Sequence, residues 1–131
     1  MEILQPKDWK RPKGYSNGII AEGKVIFISG QIGWNANEEF VSDQLVPQIK
    51  QALENITQIL AEANAKPEHV ARLTWYVTDK KEYLNNAKEI GAVYREIFGL
   101  HFPTMSLVQV AGLLEDKAKV EIEATGVITH E

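Results

Sequence analysis

The chain has 131 residues, of which 44% are apolar and 24% charged, the profile of one globular domain, 1–131, that can bury its own core. Its 14 basic and 18 acidic residues leave a net charge of −4, which argues against a dedicated nucleic-acid binder. There is no cysteine, hence no disulfide framework, thiol nucleophile or thiolate metal site, and no apolar run long enough for a signal peptide or a membrane span, so a cytoplasmic protein without a membrane partner is expected.

The first thirteen residues carry Pro6, Pro12 and several charges and read as an extended arm, followed by a turn or irregular strand start at Gly14, Asn17 and Gly18. Lys24 to Ser29 (KVIFIS) is a strand that is apolar on both faces, Val25 and Phe27 on one and Ile26 and Ile28 on the other. Such a strand has to be covered twice. One layer of helices covers one face, so a neighbouring subunit is expected on the other.

From about Asp43 to Ala63, Val46, Ile49, Leu53, Ile56, Leu60 and Ala63 recur at spacings of three and four, the stripe of an amphipathic helix. Ser42 or Asp43 is the expected N-cap, and Pro47 falls in the first turn. After a turn at Asn64 to Glu68 comes a strand, Val70 to Thr78, with Ala71, Leu73, Trp75 and Val77 on one face and Arg72, Thr74 and Tyr76 on the other. A second helix is expected from about Lys80 to Phe98, with Leu84, Ala87, Ile90, Gly91, Tyr94 and Ile97 inward and Gly99 closing it. Strands at Thr104 to Val110 and Ala118 to Ile128 end the chain; in the last, Glu121, Glu123, Thr125 and Val127 share the face opposite Val120, Ile122 and Ala124. The order β-hairpin, α, β, α, β, β predicts an α+β fold with two helices on one face of a mixed sheet.

Few residues carry obvious chemistry. His69, His101 and His130 do not pair with one another or with carboxylates at metal-ligand spacing, so no metal site is expected. Gly30-Gln31-Ile32-Gly33 follows a strand but matches no phosphate-binding loop, and Ser29 lacks a nucleophile-elbow context. Lys7, Trp9, Lys10, Arg11 and Lys13 mix cations with an aromatic ring, compatible with an RNA contact or with a solvated arm. Glu121 and Glu123 share one face of a strand otherwise built for burial. They are either a general acid/base or water-positioning pair, or solvated glutamates of an outer face.

The segments Ile28 to Ile32 (ISGQI), Phe102 to Val110 (FPTMSLVQV) and Lys119 to Ala124 (KVEIEA), with Gly14 to Gly18 (GYSNG) and the helix segment QALENI, resemble the RidA (YjgF) family over nearly the whole chain. The resemblance implies a chorismate-mutase-like fold and a homotrimer whose sheets line a central β-barrel, with small-molecule clefts between subunits. It implies cofactor-independent hydrolysis of reactive enamines and imines to ketone and ammonia. By motif, the water-positioning glutamate falls on Glu121, and the substrate-binding positions fall on Tyr15, Ser29, Gly30, Met105 and Leu107, the last through its backbone. Two positions depart from the pattern. Met105 stands where the deaminase branch carries an arginine for the substrate carboxylate, and Gly91 stands where many members carry asparagine. The sequence thus resembles arginine-lacking branches, some linked to 2-aminomuconate-type deamination, with Trp34 as a further cleft candidate. Arg72, Arg11 or a residue of the adjacent subunit would then anchor the carboxylate. The alternative is a trimer that binds a small metabolite without turnover and regulates a partner. Ribonuclease activity, attributed to some members, fits poorly with the net acidity and the absent histidine pair.

Overall fold

The helical stripe at spacings of three and four becomes the spine of the core. The computed structural model describes residues 1–129. In it α1 runs Leu45–Glu62 and buries Leu45, Ile49, Ala52, Leu53, Ile56 and Leu60. Against this face lies a mixed four-stranded sheet of β3 (Gly23–Gln31), β4 (Val70–Val77), β5 (Thr104–Gln109) and β6 (Val120–Thr129), in the spatial order β3-β6-β4-β5. β3 and β4 each pair antiparallel with β6, whereas β4 and β5 run parallel. A parallel pair needs a crossover that returns the chain to the same end; here it is α2 (Lys80–Asn85) followed by α3 (Ala87–Phe98). Ile28, Leu73, Trp75, Val77, Val120, Ile122 and Ala124 meet α1 and the α3 residues Ile90, Tyr94 and Phe98 in one core.

Three expectations need correction. The second helix is two helices. At Asn86 the side-chain amide donates to the Glu82 carbonyl (2.8 Å) and the backbone leaves helical geometry (φ −113°, ψ 16°), as expected where consecutive asparagines compete with the helical bonding pattern. The break changes which side of the first segment faces inward: Tyr83 packs edge-on against Trp75, and Leu84 and Ala87 are exposed. Second, no early hairpin forms between β2 (Gly18–Ile20) and β3; β2 pairs antiparallel with β1 (Glu2–Leu4) in a separate two-stranded ladder. Third, the N-cap of α1 is Gln44, with no side-chain capping bond, while Ser42 Oγ accepts from the Gln44 amide (3.0 Å) one step earlier.

The start of α1 is fixed by a residue the pattern did not single out. Gln48 is fully buried; its amide nitrogen donates to the Ser42 and Lys117 carbonyls (2.9 and 3.0 Å), and its oxygen accepts from the Lys119 amide (2.8 Å). This clamp joins α1 to the entry of β6. The face of the sheet away from the helices is open: Phe27 is 81% and Val25 51% exposed. β3 and β5 are the sheet's two edges, and at its start β5 is bridged on its outer side by Ser16 against Thr104.

Candidate functional site

The open face collects Ser29, Gly30 and Glu121. Between the pairs Ile28–Ala124 and Gln31–Ile122 the β3–β6 register slips, so Ser29 and Gly30 together stand opposite Glu123. Such a bulge re-aims the strand end, and it brings the Gly30 backbone against the Glu121 side chain. A β-carbon at Gly30 would collide with the Glu121 carboxylate. Across the other ladder Glu121 pairs with Tyr76, whose hydroxyl donates to Glu123 Oε1 (2.8 Å). That hydrogen bond, then burial and the two nearby carboxylates, raise the Tyr76 pKa, with Arg72 opposing. The neutral phenol is therefore the form that holds Glu123 in place, while the Glu121 side chain makes no hydrogen bond or ion pair among the described residues. Ser29 also borders a concavity of about 430 Å³ with Phe27, Arg72, Thr74, Glu123 and Thr125.

Met105 and Leu107 lie on the opposite side of the sheet. Met105 is in register with Leu73 and Leu107 with Trp75, and both pack partly buried against the core. Met105 borders a cavity of about 280 Å³ together with Trp75, Tyr83, Gly91, Tyr94, Arg95 and Phe102. Two of its lining rings, Tyr94 and Phe102, stack on each other at 5.5 Å between centroids and 16°. Tyr94 is fixed by its hydroxyl donating to the His101 carbonyl (2.6 Å), and burial raises its pKa strongly. Tyr15 stands at the mouth of an adjoining cavity with Trp9, Arg11 and Phe102; Gly14 and Phe102 border both spaces. Ser16 positions it, since its hydroxyl donates to the Phe102 carbonyl and its amide to that of Pro103 (3.1 Å). Within one chain, then, the sheet separates Ser29, Gly30 and Glu121 from Met105 and Leu107.

The remaining candidates lie elsewhere in the fold. His69 Nδ1 accepts from the Lys66 amide (2.9 Å) and the His101 ring meets the Val70 carbonyl (2.7 Å); His130 lies outside the described residues. No cluster of metal-ligating side chains occurs among the described residues. Trp34 packs on Phe40 (5.8 Å between centroids) in the loop after β3. The basic arm residues Lys7, Lys10, Arg11 and Lys13 are exposed. Of the two alternative anchors, Arg72 lies on the open face and Arg11 beside Tyr15. Sequence reasoning missed Gln48, Ser16 and Tyr76. It also missed Arg95, whose helical spacing of four from Gly91 was the available signal. No helix among the described residues is long and apolar enough to cross a membrane.

Comparison with known proteins places this geometry. A family model described as endoribonuclease L-PSP matches residues 8–128. The human 2-iminobutanoate/2-iminopropanoate deaminase is 31% identical over 114 residues, covering 86% of this chain and 79% of that protein, and the Salmonella typhimurium deaminase of the same name is 34% identical over 108 residues, covering 80% of each. Among solved structures, the conserved Rid protein YyfB of Yersinia pestis superposes with a TM-score of 0.83 at 31% identity, covering 97% of this chain and 98% of that one. Escherichia coli TdcF with bound serine superposes at 0.70 and 31% identity, covering 98% and 100%. With these matches spanning nearly its full length, the chain belongs to the RidA (YjgF) family.

Proposed function

We propose that this chain is an enamine/imine deaminase-like hydrolase that releases ammonia from a small reactive enamine of 2-aminomuconate type. It works as a homotrimer with its ligand clefts between subunits. The observation that carries this reading is the Glu121 carboxylate, held against a glycine backbone and without an ionic partner among the described residues. Such a group is free to hold a water and take its proton. The names and coverage of the relatives support the reaction class.

The chemistry balances without an external electron carrier. The enamine takes a proton from solvent at a carbon conjugated to its amino-bearing carbon, gives up one N–H proton in return, and becomes the imine. Water adds to the C=N carbon, one of its protons passing to Glu121 and from there to nitrogen. The remaining hydroxyl proton of this carbinolamine follows the same route through Glu121 to nitrogen as the C–N bond breaks, so that ammonia leaves and the ketone remains. Ser29, the Gly30 and Leu107 backbones and Tyr15 orient the substrate, so that much of the acceleration comes from placement. Met105 cannot donate a hydrogen bond to a carboxylate, and this gives the site a specificity different from that of arginine-bearing members.

Ammonia release from 2-aminoacrylate and 2-aminomuconate, each generated in situ, tests the reading. The wild type is expected to act on 2-aminomuconate, and Glu121→Gln to lose about a hundredfold or more of that rate with its fold intact. The missing donor at position 105 favours a second reading, a trimer that binds a metabolite without turnover. Ligand-dependent thermal stabilisation with no ammonia from either substrate, and 2-aminoacrylate hydrolysis gained in Met105→Arg, would establish that reading instead.

A further inference from the structure

The cavity beside Met105 has lost the donor expected on its strand side, yet it is not without one. Arg95 sits one helical turn after Gly91 on α3 and reaches back over it. A β-carbon placed on Gly91 would lie 3.1 Å from Arg95 Nη1 and 3.9 Å from both Cζ and Nη2. The guanidinium thus occupies the space that a side chain at position 91 would take, at the border of the cavity that Met105 also borders. No carboxylate among the described residues pairs with Arg95, and none borders the cavity, where Lys13 is a second cation. An unneutralised guanidinium beside aromatic walls favours a bound anion, and its planar fork suits a carboxylate.

A second, independent observation points the same way. Trp75 is 3% exposed, borders the same cavity, and its Nε1–H has no hydrogen-bond partner among the described residues. An unpaired buried donor is costly, and an acceptor admitted beside it by a small local rearrangement of the cavity wall would relieve it.

We propose that Arg95 is the carboxylate anchor of this chain, taking over from the α3 side the task that Met105 cannot perform on β5, and that the cavity selects small, flat, conjugated carboxylates. The preference for a flat, conjugated ligand follows from the four aromatic rings that border the cavity, Trp75, Tyr83, Tyr94 and Phe102, whose faces and edges favour a π-bearing partner. The pairing of Gly91 with Arg95 is the device: glycine vacates the space, and the arginine four residues on fills it. This inference rests on the deaminase reading for its link to catalysis, but not for the binding itself.

The test uses sorbate, a flat six-carbon dienoate that cannot be deaminated, and its neutral amide, titrated into the intact wild-type protein and into Arg95→Ala and Arg95→Lys. Calorimetry gives the affinity, and the Trp75 indole N–H resonance reports occupancy of the cavity. Sorbate is expected to bind and to shift that resonance, and the amide to bind at least about tenfold more weakly, as for loss of a charge-assisted bond. Arg95→Ala should bring sorbate down to the level of the amide, and Arg95→Lys should keep only part of the difference because lysine lacks the fork. Equal affinity for acid and amide, unchanged sorbate binding in Arg95→Ala, or no saturable sorbate binding by the wild type overturns the proposal. The two readings separate cleanly. Arg95-dependent sorbate binding without ammonia release from any enamine sinks the deaminase and keeps the anchor. Ammonia release untouched by Arg95→Ala sinks the anchor and keeps the deaminase.

Discussion

The Glu121 carboxylate rests against a backbone with no side chain in the way, and the absence of a β-carbon at Gly30 is what permits it. Gly30→Ala is therefore a sharper probe than its size suggests. The added methyl cannot coexist with Glu121 where it stands, so the carboxylate must swing away or the bulge at Ser29–Gly30 must shift. Ammonia release should fall by about tenfold or more, on the scale of a displaced general base, while circular dichroism and the melting temperature change little. A rate within twofold of wild type would mean that the position of Glu121 is not what the reaction uses. This pair was half legible in the sequence. Glu121 and Glu123 could be placed on one face by period two alone, whereas the Gly30 contact depends on a register slip that no alternation pattern encodes.

At the scale of elements, α3 carries two opposed demands at one position. Glycine in a helix interior costs roughly 0.5–1 kcal/mol relative to alanine, and Gly91 has an ordinary helical backbone. Gly91→Ala should accordingly raise the melting temperature by a few degrees. Its β-carbon would also crowd Arg95 Nη1, so the same variant should bind sorbate several-fold more weakly. A gain in stability coupled to a loss of affinity is the signature of a helix residue kept small for its neighbour; a gain in both would detach Gly91 from the anchor. The tyrosine of the same helix gives a pH prediction. Burial raises the folded-state pKa of Tyr94 above its ordinary 10.0, so the folded state holds the proton more tightly than the unfolded one. The associated stability is fully present below about pH 10 and is lost as pH rises further. Urea unfolding measured between pH 9 and 11.5 should show a decline above pH 10, and Tyr94→Phe should make it shallower by up to about 1.4 kcal/mol per pH unit. An identical slope in the variant would show that Tyr94 does not titrate differently on folding. Elements were the most legible scale: the stripe of α1 and the two-faced apolar pattern of β3 appear as read. The break at Asn86 was not legible, because the apolar spacing runs across it, while the Asn86 backbone leaves helical geometry and its side-chain amide joins its own N–H on the Glu82 carbonyl.

For the whole molecule, the separation of the site residues is the leading fact. Glu121 and Ser29 lie on the open face of the sheet, and Met105 and Arg95 lie on the helix side. If both sets act on one substrate, they come from different copies of the chain. The exposed Phe27 and Val25 on the open face, together with the edge strand β3, provide surface for such an assembly. Phe27→Asp should yield a folded monomer by light scattering and abolish ammonia release, since burying an unpaired carboxylate in the interface is prohibitive. Complementation then decides between a shared and a private site. Glu121→Gln and Arg95→Ala are each impaired, but a cleft between a chain with intact Glu121 and a chain with intact Arg95 is complete. Equal amounts of the two variants, unfolded together and reassembled at random into the closed trimers proposed above, should restore about a quarter of the wild-type sites, because each cleft draws its two halves independently. Recovery near that level would locate each site across an interface. A mixture no more active than its components would confine the reacting groups to one chain, and the open face would then need another explanation.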